Sequence, residues 1–312
     1  MKLLFSHAPS DAEPIDMKQV EKEFQVSIKR LYDLFHFILS SAVSVADYAE
    51  ERISIGLQKH LPTYAEMRPN RKFVENVFID LLRRNRPLAH YCKQNSLLWK
   101  RDTTSTIRDI YSTMIEREYY KAYMSDPEKD ALNRDRVFLK RFFMYEFEDN
   151  ESLEAMLEER SKWWGSDDLG YVLGAIIRTL DDFQPGQSDD TPLLQAVRSR
   201  ANKEFAARLL RHSLMHYTEY RNRAMLFVKN WEVDRLATMD VMLIVQGFAE
   251  AVEFPEISVK ITINEHVELA KYYSTPNSHV FVNGVLDRMV KQGIADGLIV
   301  KKALAQEPAG TH

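Results

Sequence analysis

The chain has 312 residues, of which 45% are hydrophobic and 28% are charged, a composition typical of globular proteins and not of disordered or fibrous ones. Only 10 glycines and 11 prolines are available for turns, which disfavours a sandwich or barrel of many short strands. The net charge of −4 argues against a protein that coats nucleic acid indiscriminately. This net charge is compatible with a local basic or aromatic patch that binds one short stretch of single-stranded nucleic acid.

The cysteine content and the apolar segments indicate the compartment. A single cysteine, Cys92, cannot form an internal disulfide, which fits a reducing environment, and its apolar helical context predicts a buried side chain. No stretch approaches the ~20 apolar residues that cross a bilayer, and the apolar run at the start is too short for a secretory signal. The sequence therefore predicts a cytoplasmic protein with no membrane contact.

Most of the chain carries the three- and four-residue apolar period of amphipathic helices. Ser166 is predicted to cap a helix that buries an apolar face from residue 169 to 180, and Gly170 and Gly174 within it to allow close helix packing. Thr191 and Pro192 form a cap and first-turn proline that predict another helix start. The same period predicts helices over residues 17–56, 73–82, 105–123, 136–147, 152–163, 215–228, 233–252 and 278–291.

Two segments are harder to interpret. Residues 181–190 are the stretch richest in polar and turn residues and are predicted to be a linker at a domain boundary; they lack the ligand spacing of a calcium loop. Residues 257–263 alternate apolar and polar side chains like a strand, but they run without a break into a helical sequence. A lone strand would leave its backbone groups unpaired, so we predict a helix that begins near Ser258.

Candidate catalytic and metal-binding patterns are weak. His212 and His216 share the spacing of a zinc-binding pair, but no third ligand and no adjacent glutamate accompany them. Glu265, His266 and Glu268 lie on one helix only, whereas a di-iron site needs carboxylates from several. No nucleophile elbow and no phosphate-binding glycine loop occur in the sequence. The basic runs around residues 83–86 and 198–211 are typical of solvated helix faces. We therefore predict no enzyme activity, no metal and no cofactor.

The segment from residue 271 to 287 is the hardest to explain as scaffold alone. It joins two helices through a loop with aromatic, proline and small hydrogen-bonding residues, and Ser278 is placed to cap the second helix. Single-stranded bases are held by stacking on rings and by hydrogen bonds to their edges. The alternative is a plain helical hairpin in which Phe281, Val285 and Leu286 are core. The candidate platform comprises Tyr272, Tyr273, Asn277, Ser278, His279 and Phe281.

Four blocks within residues 230–291 resemble the carboxy-terminal half of the NusB family of bacterial transcription antitermination factors. They are Asn-Trp-Glu-Val-Asp-Arg-Leu at 230–236, Pro-Glu-Ile-Ser-Val-Lys-Ile-Thr-Ile-Asn-Glu at 255–265, Val-Glu-Leu-Ala-Lys-Tyr-Tyr-Ser at 267–274, and Ser-His-Val-Phe-Val-Asn-Gly-Val-Leu-Asp at 278–287. The resemblance implies an all-α protein of NusB-like helical bundles. It also implies transcription regulation by RNA binding, with boxA-type single-stranded RNA, the ribosomal protein NusE and the RNA polymerase antitermination complex as partners.

The resemblance further implies roles for particular positions. RNA contacts are expected at Lys271, Asn277, Ser278, His279 and Phe281. Contacts with NusE are expected at Leu4, Phe5 and Asp240.

The chain also departs from the family pattern. Family members are about half this length, so we predict NusB-like core helices over residues 1–59, a helical insertion of unknown role over 60–190, the C-terminal NusB-like domain over 191–295 and a flexible tail over 296–312. Residues 1–7 match only the end of the family's arginine-rich first helix, and we expect an upstream start that would restore it.

Two other functions stay open. A NusB-fold interaction scaffold that has lost RNA binding would lack those arginines. RNA methyltransferases that carry a NusB-like domain would need a nucleotide-binding glycine loop, which the sequence does not contain.

Overall fold

The computed structural model describes residues 1–8, 15–99, 103–127, 131–148, 150–184, 186, 188–193, 200–228 and 237–302. Every regular element longer than one residue in these ranges is an α-helix, which confirms the all-α fold class. No helix among them is both long and apolar enough to cross a membrane.

The chain folds into two compact units. The discontinuous unit comprises Met1–Gln25 and Ser199–His312, and the central unit comprises Val26–Arg198. The long helix α2 (Met17–Leu57) contributes residues to both, whereas the boundary predicted at residue 59 lies after its end. The division of the sequence into core, insertion, C-terminal domain and tail stays a prediction.

The central unit contains most of α2 and eight further helices among its described residues. Its core is rich in fully buried phenylalanines, including Phe35, Phe78 and Phe142. Cys92 is buried in it, as predicted. The helices are α2 (Met17–Leu57), α3 (Tyr64–Met67), α4 (Val77–Arg84), α5 (Arg86–Gln94), α6 (Thr104–Glu116), α7 (Glu118–Ser125), α8 (Ala131–Phe147), α9 (Glu151–Arg160) and α10 (Ser166–Asp182).

The discontinuous unit is a smaller bundle with its own core. Leu4 and Val20 from the start of the chain pack with Phe248 and Leu286 from its later helices. The helices are α1 (Lys2–His7), α11 (Arg200–Met215), α12 (Tyr217–Leu226), α13 (Thr238–Glu253), α14 (Val259–Tyr273) and α15 (Ser278–Ala295).

Capping side chains explain where several predicted helix starts were wrong. Helix α4 begins at Val77 and not at Phe73, because the side-chain oxygen Oδ1 of Asn76 accepts the Phe78 and Ile79 backbone N–H groups. In α10 Ser166 is the first helical residue and not the cap; Gly165 precedes it and donates its N–H to the Asp168 carboxylate. Local caps of this kind shift a boundary without changing the apolar period.

Two further parts of the central unit differ from the predicted helices. The helix predicted over 105–123 is broken at Arg117, whose backbone is extended between α6 and α7. Helix α5 was not predicted; the Asn85 side chain caps it and Pro87 occupies its first turn.

The strand-like segment 257–263 is helical from Val259 onward, which confirms the predicted helix start near Ser258. The Ser258 hydroxyl caps α14 by accepting the Ile261 N–H at 3.3 Å. Residues 191–193 are not helical, so the helix start predicted at Pro192 was wrong, and the next described helix, α11, begins at Arg200. Residues 194–199 lie outside the described ranges, as do residues 233–236 of the helix predicted to begin at 233.

The predicted linker at 181–190 is tied to the helices of the central unit by ion pairs. Arg84 lies 3.0 Å from the Asp189 carboxylate and Arg86 lies 3.2 Å from that of Asp190. The Arg86 N–H also donates to the Asp189 carbonyl at 2.9 Å. The basic run therefore has acidic partners within its own unit. In the other basic run Arg208 pairs with Glu253 and Arg211 with Glu21.

Close helix packing occurs at a different glycine from the two that were predicted. A Cβ added to Gly170 would meet nothing within 4 Å, and one at Gly174 would only touch the Arg178 guanidinium at 3.7 Å, so that prediction was wrong. At Gly247 an added Cβ would lie 2.7 Å from Leu286 and 3.1 Å from His266.

Gly247→Ala is therefore expected to lower the free energy of unfolding by roughly 1–3 kcal/mol through overpacking. Chemical denaturation followed by circular dichroism measures it, with Gly170→Ala as the matched control. Because Gly170 has open space, alanine there should stabilise slightly or have no effect. Equal stability of the Gly247 variant and the parent would contradict this packing.

Candidate nucleic-acid interface

The candidate platform lies at one end of the discontinuous unit, where the turn between α14 and α15 meets the start of α13. The three helices pack against one another through Ala270, Val245 and Leu286. The turn itself comprises residues 274–277, with Ser274 closing α14 and Asn277 preceding α15. The position of this turn depends on the helices that flank it.

A buried carboxylate holds the turn in place. Asp240, in the first turn of α13, accepts a hydrogen bond from the Ser274 hydroxyl at 2.5 Å and another from the Ser278 hydroxyl at 2.9 Å. The Ser278 oxygen in turn accepts the Thr275 backbone N–H at 3.2 Å. Asp240 is only 6% exposed, so these are charge-assisted bonds in a largely dry site. We call Asp240, Ser274 and Ser278 the turn clamp.

Phe281 is a core residue of α15. Its side chain is 5% exposed and belongs to the same apolar cluster as Val282, Val285 and Leu286. These positions fall on the inward face of the helix because they recur at steps of one, three and four residues. Ser278 lies at the amino end of the same face and is buried as well.

Other predicted RNA contacts lie on the surface. Lys271 and Asn277 are exposed, and His279 is half-buried. Lys271 pairs with Glu268 at 2.6 Å. Tyr272, which belongs to the candidate platform, is 80% exposed. The Asn277 side chain makes no capping hydrogen bond to α15. An aromatic ring and an amide therefore face solvent on either side of the turn.

The predicted partner-facing residues also divide between core and surface. Leu4 is buried against α11 and α13, whereas Phe5 is 53% exposed on the short helix α1. Asp240 has both carboxylate oxygens occupied in the turn clamp. Of the three, Phe5 is the one whose side chain is accessible to another molecule.

A second buried polar group supports the same helices from inside. His266 of α14 lies close to Gly247, and its Nδ1 is 2.9 Å from the Thr262 carbonyl oxygen. The Thr262 hydroxyl donates to the Glu250 carboxylate at 2.7 Å. Nε2 of His266 is buried without a hydrogen-bond partner in the described chain. The ring is thus built into the bundle in a position unfavourable for a second proton.

Acid is expected to destabilise this bundle through His266. Burial lowers the pKa of His266 below its ordinary value of 6.5, although the Thr262 carbonyl and the Glu250 carboxylate oppose the shift. Because the folded pKa is depressed, the neutral ring's contribution to stability is present above the ordinary pKa and is lost as the pH falls below it.

The measurement is the free energy of unfolding between about pH 7 and about pH 5, the range in which histidines titrate. His266→Gln should show a shallower decline than the parent. His216→Gln, at a more exposed histidine, is the control. An unchanged slope for the His266 variant would contradict the assignment.

The histidine pair considered for metal binding has protein partners. Nε2 of His212 lies 2.9 Å from the Tyr220 hydroxyl, and Nδ1 lies 3.2 Å from the Glu253 carboxylate. His216 stacks on the Tyr220 ring with centroids 5.3 Å apart. No cluster of three or more metal-ligating side chains occurs in the described ranges.

The turn clamp was missed by sequence reasoning. Ser274 and Ser278 flank the turn at a four-residue spacing, which is a weak sign of a shared acceptor. Asp240 precedes Ser274 by 34 residues, so only the packing of α13 shows which acceptor they share.

The block at 230–236 that contributed to the family resemblance lies outside the described residues.

Comparison with known proteins places this bundle within a recognised sequence family. The NusB family model matches residues 184–291. The chain is similar to the transcription antitermination protein NusB of Methylacidiphilum infernorum, with 38% identity over 90 residues, 29% of this chain and 63% of the relative. It is 36% identical to that of Salinibacter ruber over 90 residues, 29% of this chain and 56% of the relative.

A third relative is covered almost completely. The transcription antitermination protein NusB of Geobacter sulfurreducens is 30% identical over 131 residues, 40% of this chain and 94% of the relative. By contrast, the chain spans less than two thirds of the length of the first two relatives. No solved structure matches the chain.

Proposed function

Because the chain belongs to the NusB family, we propose that it is a transcription antitermination factor that binds boxA-type single-stranded RNA together with the ribosomal protein NusE. The observation that carries the proposal is the family match over residues 184–291, which includes all of α13 and α14 and most of α15. The relatives named above are transcription antitermination proteins.

The surface of the turn supports RNA binding by exposed side chains. Tyr272 offers a solvent-facing ring, and Asn277 and His279 offer hydrogen-bonding groups. Aromatic stacking and amide hydrogen bonds are the interactions by which unpaired bases are held. The turn clamp fixes the backbone on which these groups stand, so we assign Ser278 and Asp240 a positioning role. Phe281 supports the same surface from the core.

We assign Phe5 as the accessible part of a protein-binding surface for NusE. It is one large apolar side chain on α1 that packing leaves in solvent, whereas Leu4 anchors the helix to the bundle. Exposed aromatic side chains are frequent anchors at protein interfaces.

A second candidate function follows from the burial of Ser278 and Phe281, two of the five predicted RNA contacts. A NusB-fold scaffold would keep the partner surface and bind no RNA. An electrophoretic titration of the full chain with a boxA-like oligonucleotide and with a scrambled one, each with and without NusE, separates the two functions.

An antitermination factor of this kind should bind the boxA-like RNA with at least about tenfold higher affinity than the scrambled RNA, and NusE should raise the affinity further. The scaffold binds NusE in a pull-down and shows no preference between the two oligonucleotides at moderate salt.

A further inference from the structure

The central unit contains a cavity of about 560 Å³ between α7 and α8. Tyr119, Ala122 and Tyr123 line it from α7, at the three- and four-residue spacing of one helix face. Arg134, Val137, Phe138 and Arg141 line it from α8 in the same way. The volume falls within the range of small-molecule sites, roughly 300–1,000 Å³.

The floor of the cavity is aromatic and closely packed. The rings of Tyr123 and Phe138 stack with centroids 4.1 Å apart, and Tyr119 lies 5.7 Å from Phe138. The hydroxyls of both tyrosines already have carboxylate partners: Tyr119 donates to Glu146 at 2.9 Å and Tyr123 to Asp135 at 3.1 Å. The floor therefore offers a ligand mainly aromatic carbon.

The wall beside this floor carries fixed positive charge. The Arg134 guanidinium lies 5.7 Å from the centre of the Tyr123 ring and donates to the buried Asp135 carboxylate at 3.0 Å. Its side chain is largely buried, so the charge is held in place. Behind it the Lys72 ammonium donates to the Tyr123 carbonyl at 2.7 Å, which caps the carboxyl end of α7.

Among the described residues that line the cavity, Arg134 and Arg141 are cationic and Asp126 is acidic. Just outside this lining, Lys72, Asp135 and Glu146 each contact one of the two lining tyrosines. Burial lowers the pKa of Lys72, and the positive charge of Arg134 lowers it further, as expected where cations are crowded. Arg141 is exposed at the rim and has no acidic partner in the described part of the chain.

We propose that this cavity is a binding site for a small organic anion that joins a compact apolar group to a carboxylate or phosphate. The apolar group lies on Ala122, Val137 and the edges of the aromatic floor. The anionic group accepts hydrogen bonds from Arg141, whose planar guanidinium matches two oxygens at once. Arg134, held in place by its ion pair with Asp135, lies beside the same aromatic floor.

The test is a ligand-observed NMR titration of the full chain with three probes: phenyl phosphate, benzoate and the neutral benzyl alcohol. Phenyl phosphate or benzoate is expected to bind with a Kd of about 1 mM or tighter, and benzyl alcohol at least about tenfold more weakly. The two anions distinguish a phosphate site from a carboxylate site.

Three variants locate the site. Arg141→Ala should weaken the anion at least about tenfold, the usual cost of a lost charge-assisted hydrogen bond, and leave benzyl alcohol unaffected. Ala122→Trp keeps both arginines and fills the cavity, so it should abolish binding of all three probes. Arg178→Ala, an exposed arginine of α10 outside the cavity, is the matched control and should bind like the parent.

Circular dichroism confirms that each variant is folded. The proposal is overturned if no probe binds at ten times the expected Kd, if the neutral probe binds as tightly as the anions, or if the Ala122 variant binds like the parent. These outcomes are independent of RNA and NusE binding, which we assign to the other unit.

Discussion

Replacing Asp240 by alanine is expected to lower the free energy of unfolding by about 2–4 kcal/mol, because it leaves two hydroxyl donors, one buried and one half-buried, without their charged acceptor. Those donors are Ser274, at 2.5 Å, and Ser278, at 2.9 Å. The amide hydrogens of the turn should also exchange faster, because the clamp joins the start of α13 to both ends of the turn. Chemical denaturation gives the stability, and hydrogen exchange localises the loss.

Two control variants test whether the loss of stability comes from the turn clamp or simply from the removal of a negative charge. Asp240→Asn retains one accepting oxygen and should lose less stability than the alanine variant. Asp287→Ala removes a carboxylate that pairs with the exposed Lys291 at 2.7 Å on α15 and should have little effect. Equal stability of Asp240→Ala and Asp287→Ala would show that the clamp does not hold the turn.

The second large effect is expected at Phe281. Phe281→Ala should cost about 3–5 kcal/mol, the usual cost of emptying a buried phenylalanine site. Tyr272→Ala should change stability by less than about 0.5 kcal/mol, because the ring it removes is on the surface. The two variants should therefore differ strongly in their free energy of unfolding, which is measured without RNA.

The effects on RNA binding should be reversed: a substitution at the exposed Tyr272 should weaken binding, and a conservative one at the buried Phe281 should not. Tyr272→Ala is expected to weaken the boxA-like RNA by roughly 5-fold to 150-fold if its ring stacks on one base. Phe281→Leu, which keeps the core filled, should bind RNA like the parent. Loss of RNA binding in a stable Phe281→Leu variant, with normal binding by Tyr272→Ala, would assign the direct contact to Phe281 and reject our division of roles.

The helical fold is predictable from the sequence because the apolar period persists through most of the chain. Even the strand-like segment 257–263 is correctly predicted, since Ser258 offers a cap and an unpaired strand would be costly. Boundaries are less accurate where one side chain decides them. Asn76 caps α4 and the extended backbone at Arg117 breaks the helix predicted over 105–123.

The candidate site is only partly predictable for a different reason. The sequence places Tyr272, Asn277 and Ser278 in or directly beside one turn, but it does not show which side of the turn faces the bundle. That depends on α13, whose Asp240 is distant in sequence and near in space. The partners of the basic run depend on the fold in the same way: in sequence Arg84 and Arg86 are typical of a solvated helix face, and in the structure they pair with Asp189 and Asp190.

The family match covers only a small part of the central unit. The family match begins at residue 184, so it does not include α2 through α10. The aromatic core and the cavity between α7 and α8 are therefore interpreted from their own contacts. We assign the RNA-binding role to the discontinuous unit and the small-anion site to the central unit.

The most direct test of the account is the affinity of the full chain for a fluorescent boxA-like RNA in the presence of NusE, measured by anisotropy for the parent and for a Tyr272→Ala/Asn277→Ala double variant. We predict that the double variant is as stable as the parent and binds the RNA at least about thirtyfold more weakly. Unchanged affinity in a folded double variant would contradict the claim that the exposed side of this turn holds the RNA.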